Sequence, residues 1–217
     1  LWRVGPAGRF GAAEASFLDA IARPVTAALR RSLAGTFLCS PPPEPVPPGP
    51  VVLLLSRDLE VRAQTPQTQR YLRTLVPPAP DQPPVPAGAY NVAAQLLATE
   101  AGADQNPPSA RVHLAHGRWL TLRAGRIGST GAPEERDIAV SIEETSPPER
   151  LALFTRAFGL SAREAELLRQ LAAGGDTRDL ARQMFVSEHT VQDYLKSIFT
   201  KASVRSRGAL LSRALGT

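Results

Sequence analysis

The last third of the chain, from residue 160 to residue 211, is a series of four amphipathic segments, each long enough for one short helix. Ser161 and Glu164 form the pattern of a capping box, and Ser187 has the side chain of a helix N-cap. Gly174-Gly175 ends the first segment. The apolar residues that recur at helical spacing are Leu167, Leu168, Leu171, Leu180, Ala181, Met184, Val191, Leu195, Ile198 and Phe199. Helices this short depend on packing for their stability, so the segment predicts a compact helical module.

Positive charge is concentrated in the same part of the chain. The 217 residues carry a net charge of +5, and from residue 151 onward ten basic residues stand against six acidic ones. The two lysines of the chain, Lys196 and Lys201, both lie in the third segment, residues 188–201. The face of this segment opposite its apolar residues carries Gln192, Asp193, Lys196 and Ser197, which is too polar for a core. This placement is typical of a surface that contacts nucleic acid.

The module resembles the LuxR-type (GerE-like) helix-turn-helix domain of bacterial transcription factors, without a gap from residue 160 to about residue 211. The matching positions are Leu160, Arg163, Glu164, Gly174, Leu180, Ala181, Val186, Ser187, Thr190, Val191, Leu195, Ile198, Lys201, Val204 and Arg207. The resemblance implies a DNA-binding transcriptional regulator that lays the helix 188–201 in the major groove of double-stranded DNA. The sequence departs from the family at Gln192, Tyr194 and Ser203, where lysine, histidine and glycine are usual.

The resemblance also implies a role for each polar residue of that helix. Gln192, Asp193 and Lys196 occupy the base-reading positions, where they suit adenine, cytosine and guanine respectively. For Asp193 the alternative is a solvated acid that DNA repels. The candidate phosphate contacts are Ser187, His189, Thr190, Lys201, Arg205 and Arg207.

Domains of this kind usually act as dimers on two half-sites. By resemblance, the pairing surface of a homodimer is the last helix, residues 207–215, with Leu210, Leu211 and Leu215. In the alternative, these leucines complete the core of the module. RNA polymerase is a further candidate partner.

The middle region, residues 51–145, shows the order strand-strand-helix-helix-strand-strand-strand. Val51–Ser56 has the density of a buried strand, and apolar residues alternate along residues 110–116, 118–127 and 137–143. This order, with the Gly-Arg-Trp start of the segment 116–127, resembles a PAS domain and its five-stranded antiparallel sheet. The resemblance implies a sensor or dimerisation domain that modulates DNA binding, with a small-molecule ligand that the sequence does not identify.

The middle region gives no pattern for a cofactor or a metal. His113 and His116 are three residues apart around a hairpin, so they lie on opposite faces and are expected to be surface or turn residues. The region has no cysteine, which excludes a flavin-thiol photosensor, and the single cysteine of the chain, Cys39, excludes an internal disulfide. We therefore expect no cofactor and no metal.

The first 34 residues contain a possible strand end at residues 1–4, a turn at Gly8-Arg9-Phe10 and an amphipathic helix over residues 12–33. Pro24 is expected to bend this helix or divide it in two. The segment resembles the last strand and closing helix of a GAF sensor domain, so we expect it to belong to a longer domain that begins before residue 1. The alternative is a helical arm that pairs with a second copy of the chain.

The sequence therefore predicts a multidomain α+β protein in which an all-α module of four helices follows a PAS-like sheet. The expected segments are a partial GAF-like segment 1–34, a Pro-rich linker 35–50, a PAS-like domain 51–145, a connecting helix 146–159 and a LuxR-type domain 160–217. The alternative function is a PAS-centred interaction or signalling module that uses the helix-turn-helix for docking. The sequence has no phosphate-binding glycine loop and no Gly-x-Ser-x-Gly motif, so neither pattern indicates an enzyme here. No apolar run of about 20 residues indicates a membrane span, and we expect a cytoplasmic protein.

Overall fold

The computed structural model describes residues 11–38, 50–75, 86–114, 117–128 and 136–216. They form two compact units: one takes the described residues within Leu1–Leu38 and Leu151–Leu210, the other those within Cys39–Arg150 and Leu211–Thr217. In chain order the elements are α1 (Ala12–Gly35), β1 (Val52–Leu55), β2 (Val61–Gln64), α2 (Pro66–Leu75), α3 (Ala87–Glu100), β3 (Ser109–His113), β4 (Trp119–Ile127), β5 (Asp137–Glu144), α4 (Pro147–Ala157), α5 (Ala162–Ala172), α6 (Thr177–Met184), α7 (Glu188–Ala202) and α8 (Arg207–Leu215).

The five strands form one antiparallel sheet in the order β2-β1-β5-β4-β3. Residues alternate between the two faces of each strand, so one face collects the apolar positions that the sequence predicted. The side chains that this face buries most deeply are Leu53, Leu55, Leu120, Leu122, Ile138, Val140 and Ile142. Their core also includes Tyr71 and Leu72 of α2 and Ala89, Val92 and Ala93 of α3. The predicted α+β class and five-stranded sheet are confirmed.

The other unit contains α1 and most of the C-terminal helices. α1 runs without interruption through Pro24, so of the two expected effects of this proline the division of the helix does not occur. Proline removes only one backbone donor, and a helix of 24 residues keeps the rest of its ladder. Just beyond α1, the ring of Phe37 packs edge-to-face on Phe154, with ring centroids 5.4 Å apart. The Phe158 ring is tilted by 42° against that of Phe154, with ring centroids 4.4 Å apart, so an aromatic cluster holds the chain just beyond the C-terminal end of α1.

Helices α5, α6 and α7 pack against one another and form the core of the C-terminal module. Its most deeply buried side chains are Leu167, Leu168, Leu180, Met184, Val191, Ile198 and Leu210. These positions follow the helical periodicity of the sequence, so the helices and their buried faces were predictable.

Several sequence-based expectations lie outside the described residues. They concern residues 1–4, the turn at residues 8–10, residues 39–49 of the Pro-rich linker, and His116. Within the described ranges, no helix is both long and apolar enough to cross a membrane.

Candidate nucleic-acid interface

The turn between α6 and α7 sets the angle at which α7 begins. Phe185 ends α6 in the left-handed conformation, with φ 55°, and its N–H donates to the carbonyls of Ala181 and Arg182. A left-handed residue at this position closes a helix by satisfying its last carbonyls, and glycine usually fills it. The sequence has no glycine here, so the turn was recognised but its conformation was not. The Phe185 side chain is 94% exposed.

Ser187 caps α7, as the sequence predicted. Its Oγ accepts a hydrogen bond from the backbone N–H of Thr190 at 3.1 Å and lies 2.9 Å from the Thr190 hydroxyl. The cap satisfies one of the donors that every helix leaves unpaired at its start. The two hydroxyls therefore lie together at the positive end of the helix dipole.

The rear face of α7 is apolar and buried. Val191, Leu195, Ile198 and Ala202 are each at most 5% exposed. They recur at intervals of three or four residues, which places them on one side of a helix. This side packs against α5 and α6, so α7 is held in a fixed orientation within its module.

The front face of α7 is polar and exposed. Gln192, Asp193 and Lys196, the three predicted base-reading residues, all lie on it and are all exposed. The Asp193 carboxylate accepts a hydrogen bond from Lys196 Nζ at 3.3 Å, and its other oxygen lies 3.5 Å from His189 Nε2. Asp193 is thus flanked by a base-reading candidate and a phosphate-contacting candidate one turn away on either side.

Two of the predicted phosphate contacts are hydrogen-bonded to other helices of the module. Lys201 Nζ donates to both carboxylate oxygens of Glu164 at 2.6 and 2.9 Å, which ties α7 to α5. Arg207 donates to the Thr177 hydroxyl at 2.6 Å, which ties α8 to α6. Ser187, His189 and Arg205 are exposed, and Thr190 is half-buried. The phosphate contacts remain predictions.

Glu164 is the buried centre of a hydrogen-bonding cluster that sequence reasoning found only in part. Its capping-box contact with the Ser161 N–H, at 2.6 Å, was predicted; its bonds from Lys201 and from Ser197 Oγ, the latter at 2.6 Å, were not. Burial raises the pKa of Glu164, but the donors around it outweigh this and hold the pKa at about 2. No local pattern identifies Ser197 and Lys201 as its partners, because they lie 33 and 37 residues further along the chain.

The leucines of the expected pairing surface differ in exposure. Leu210 is fully buried, as the alternative of a core role requires. Leu211 and Leu215 are half-buried. Of the three leucines, Leu211 and Leu215 therefore keep part of their side chains exposed, and their role in pairing stays a prediction.

Of the two histidines that the sequence offers in the middle region, the structure describes His113. Throughout the described ranges, no group of three or more His, Cys, Asp or Glu side chains is placed to hold a metal ion. His113 is half-buried rather than a surface residue, and its ring lies 5.2 Å from that of Trp119. Burial, followed by the nearby charge of Arg150, lowers the pKa of His113.

Residues 159–214 match the family model described as "Bacterial regulatory proteins, luxR family". GfsR of Streptomyces halstedii, a probable HTH-type transcriptional regulator, is 33% identical over 105 residues, which are 46% of this chain and 40% of that protein. The probable csgAB operon transcriptional regulatory protein of Salmonella typhimurium is 38% identical over 55 residues, 25% of this chain and 26% of its own length. The chain therefore spans less than half the length of these curated relatives.

Among solved structures, the Vibrio cholera VqmA–ligand–DNA complex covers 78% of this chain and 83% of its own, with 19% sequence identity and a TM-score of 0.32. A TM-score of this size does not establish a common overall arrangement. The family match falls on the segment that contains α5, α6, α7 and nearly all of α8.

Proposed function

We propose that this chain is a DNA-binding transcriptional regulator that reads the major groove with α7. The observation that carries the proposal is the division of α7 into a buried apolar face and an exposed polar face. A helix about 10–12 Å wide fits a major groove about 12 Å wide. The exposed face carries Gln192, Asp193 and Lys196, which together offer amide, carboxylate and ammonium groups to base edges.

Each of the three side chains suits a different base. The Gln192 amide both donates and accepts, which matches adenine N6 and N7. Lys196 donates to guanine N7 and O6, and Asp193 accepts from cytosine N4. On DNA without a suitable cytosine, the Asp193 carboxylate is instead a source of repulsion that its contacts with Lys196 and His189 reduce.

The phosphate contacts divide between the two ends of α7. Ser187, His189 and Thr190 lie at its N-terminus, where the helix dipole favours an anion. Lys201, Arg205 and Arg207 lie at and beyond its C-terminal end. Lys201 and Arg207 have partners in the protein, but an ammonium has three donors and a guanidinium has five. Arg207 therefore keeps donors for a phosphate oxygen. Lys201 uses its three donors on the two oxygens of Glu164 and, at 3.5 Å, on the Gly159 carbonyl, so a phosphate oxygen would replace the long bond to Gly159.

The remaining segments complete the proposal. Residues 51–145 act as a PAS-like domain that modulates DNA binding, supported by the order of strands and helices along the chain. Residues 35–50 are a linker, and residues 146–159 are a connection to the LuxR-type domain 160–217. The protein binds DNA as a homodimer, with RNA polymerase as a further partner.

The salt dependence of binding tests this proposal against the alternative of a docking module. A duplex enriched by selection from random sequences is titrated with the chain, and fluorescence anisotropy is recorded at several salt concentrations. The affinity should fall linearly on a log–log plot, and Arg205→Gln should reduce the magnitude of the slope by about 1.8, which corresponds to one lost phosphate contact in each chain of the dimer.

Arg62→Gln is the matched control. Arg62 lies on the exposed strand β2, and its substitution removes the same charge from the other unit. It should leave the slope unchanged. Binding without salt dependence, or an equal change of slope in both variants, would show that α7 and its flanking basic residues do not contact DNA.

A further inference from the structure

Helix α1 exposes an apolar stripe along most of its length. Phe17, Ile21, Val25 and Leu29 recur every four residues and are 63%, 36%, 49% and 65% exposed. Among the described residues, eight large hydrophobic side chains are exposed, and these are four of them. α1 itself buries none of its residues. Apolar side chains gathered in this way mark a surface that binds a partner.

We propose that this stripe, defined as Phe17, Ile21, Val25 and Leu29, packs antiparallel on the same stripe of a second copy of the chain. The stripe is self-complementary about the level of Arg23. Phe17 and Leu29 lie six residues on either side of it, and Ile21 and Val25 lie two residues on either side. A two-fold axis at this level sets Phe17 against the partner's Leu29, as a closed dimer with identical surfaces requires.

The charges of α1 favour the antiparallel arrangement. By helical spacing Glu14 lies on the side of the stripe near the start of α1, and Arg31 lies beside the stripe near its end. Parallel pairing would set Glu14 beside its own copy. Antiparallel pairing about the level of Arg23 brings Glu14 of one helix near Arg31 of the other and also opposes the two helix dipoles. The self-complementary stripe and the charge pattern therefore select one orientation.

The opposite face of α1 is polar, which limits the helix to a single partner. By helical spacing Asp19, Arg23 and Arg30 lie away from the stripe. A helix that inserted into a protein interior would be apolar on all sides. The aromatic cluster holds the chain at Phe37. The last residue of the stripe, Leu29, lies about two helical turns before that point.

The size of the stripe predicts the strength of the dimer. A helix of 24 residues is about 36 Å long and about 11 Å wide, so the pair would bury roughly 800 Å² in total. Stable interfaces bury about 1,200–2,000 Å², and smaller ones are weak and reversible. The dimer should therefore form and dissociate in the micromolar range of concentration.

Sedimentation velocity of the whole chain over a range of concentrations, without DNA, tests the interface. The wild-type chain should shift from monomer to dimer as concentration rises. The double variant Ile21→Glu with Val25→Glu should raise the dimer dissociation constant at least about 100-fold, since it places two carboxylates in the apolar contact. The matched control is Ser16→Glu with Ala27→Glu, which adds the same charge on the exposed opposite face of α1 and should change the constant less than about threefold.

Cross-linking tests the orientation. In a Cys39→Ser background, chains with Phe17→Cys are mixed with chains with Leu29→Cys and treated with a short bismaleimide. The mixture should give cross-linked dimers in much higher yield than either variant alone. Cross-linking of Phe17→Cys to itself would overturn the antiparallel arrangement. A wild-type chain that stays monomeric, or a dimer that survives the two stripe substitutions, would overturn the interface.

Discussion

Helices α7 and α1 have the same kind of sequence and opposite surroundings. Both are amphipathic, and both carry apolar residues at intervals of three or four. In α7 the apolar face is buried against α5 and α6 and the polar face is exposed. In α1 the apolar face itself is exposed, and an aromatic cluster just beyond its end packs on Phe154.

The difference shows that periodicity defines a face but not what covers it. A helix whose apolar face is covered by its own module can present polar groups in a fixed geometry, as recognition of base edges requires. A helix whose apolar face is exposed lacks the tertiary packing that stabilises most helices in proteins. The same pattern therefore leads to two proposals, a reading surface on α7 and a pairing surface on α1.

Truncation of one apolar residue in each helix gives the largest expected effect. Ile198 of α7 is fully buried, and Ile198→Ala should lower the free energy of opening of α7 by about 2–5 kcal/mol, because it leaves a cavity in a packed core. Val25 of α1 is half exposed, and Val25→Ala should change stability by less than about 0.5 kcal/mol in the monomer. Native-state hydrogen exchange at low protein concentration measures both.

Equal losses at the two positions would contradict the contrast between the helices. They would mean that α1 is packed within a single chain in solution. A small loss at Ile198 would mean that α7 lacks the rigid support that its proposed role needs.

Acid pH should weaken the attachment of α7 through Glu164. Its pKa lies at about 2 against an ordinary value of 4.5, so its ionised form stabilises the folded module by about 3 kcal/mol at neutral pH. Because the folded-state pKa is the lower one, this contribution is complete above the unfolded-state value and is lost as pH falls from about 5 towards 2. Glu164→Gln should therefore destabilise the module at pH 7 and converge with the wild type at low pH.

Glu166→Gln is the control for this experiment. Glu166 pairs with Arg163 at the surface of the same helix, at 3.0 Å, and such pairs contribute about 0–1 kcal/mol. Chemical unfolding of the three proteins at several pH values makes the comparison. A difference between wild type and Glu164→Gln that does not change with pH would show that the carboxylate charge has no part in holding α7 to α5.

The sequence predicted the features that depend on local pattern. The caps at Ser161 and Ser187, the buried face of α7 and the exposed set Gln192, Asp193 and Lys196 all follow from residue type and helical spacing. The strands of the sheet were predicted from alternation for the same reason. Each of these features is decided within a few residues of the chain.

Features that depend on tertiary contact were not predictable in the same way. The ion pair between Glu164 and Lys201 joins residues 37 positions apart, and the continuity of α1 through Pro24 reverses a local preference. The left-handed conformation of Phe185 occurs where its residue type does not favour it, because the closing hydrogen bonds of α6 impose it. Local propensity gives way in each case to contacts that a sequence pattern does not show.

The most direct test of the central proposal is the base preference of Gln192→Ala. Wild type and variant are titrated against the selected duplex, against its single-base-pair substitutions and against unrelated DNA. The variant should lose about 1–3 kcal/mol of discrimination at one base pair and keep its affinity for unrelated DNA nearly unchanged. An equal loss of affinity on every duplex, or no loss on any of them, would show that the exposed face of α7 does not read DNA.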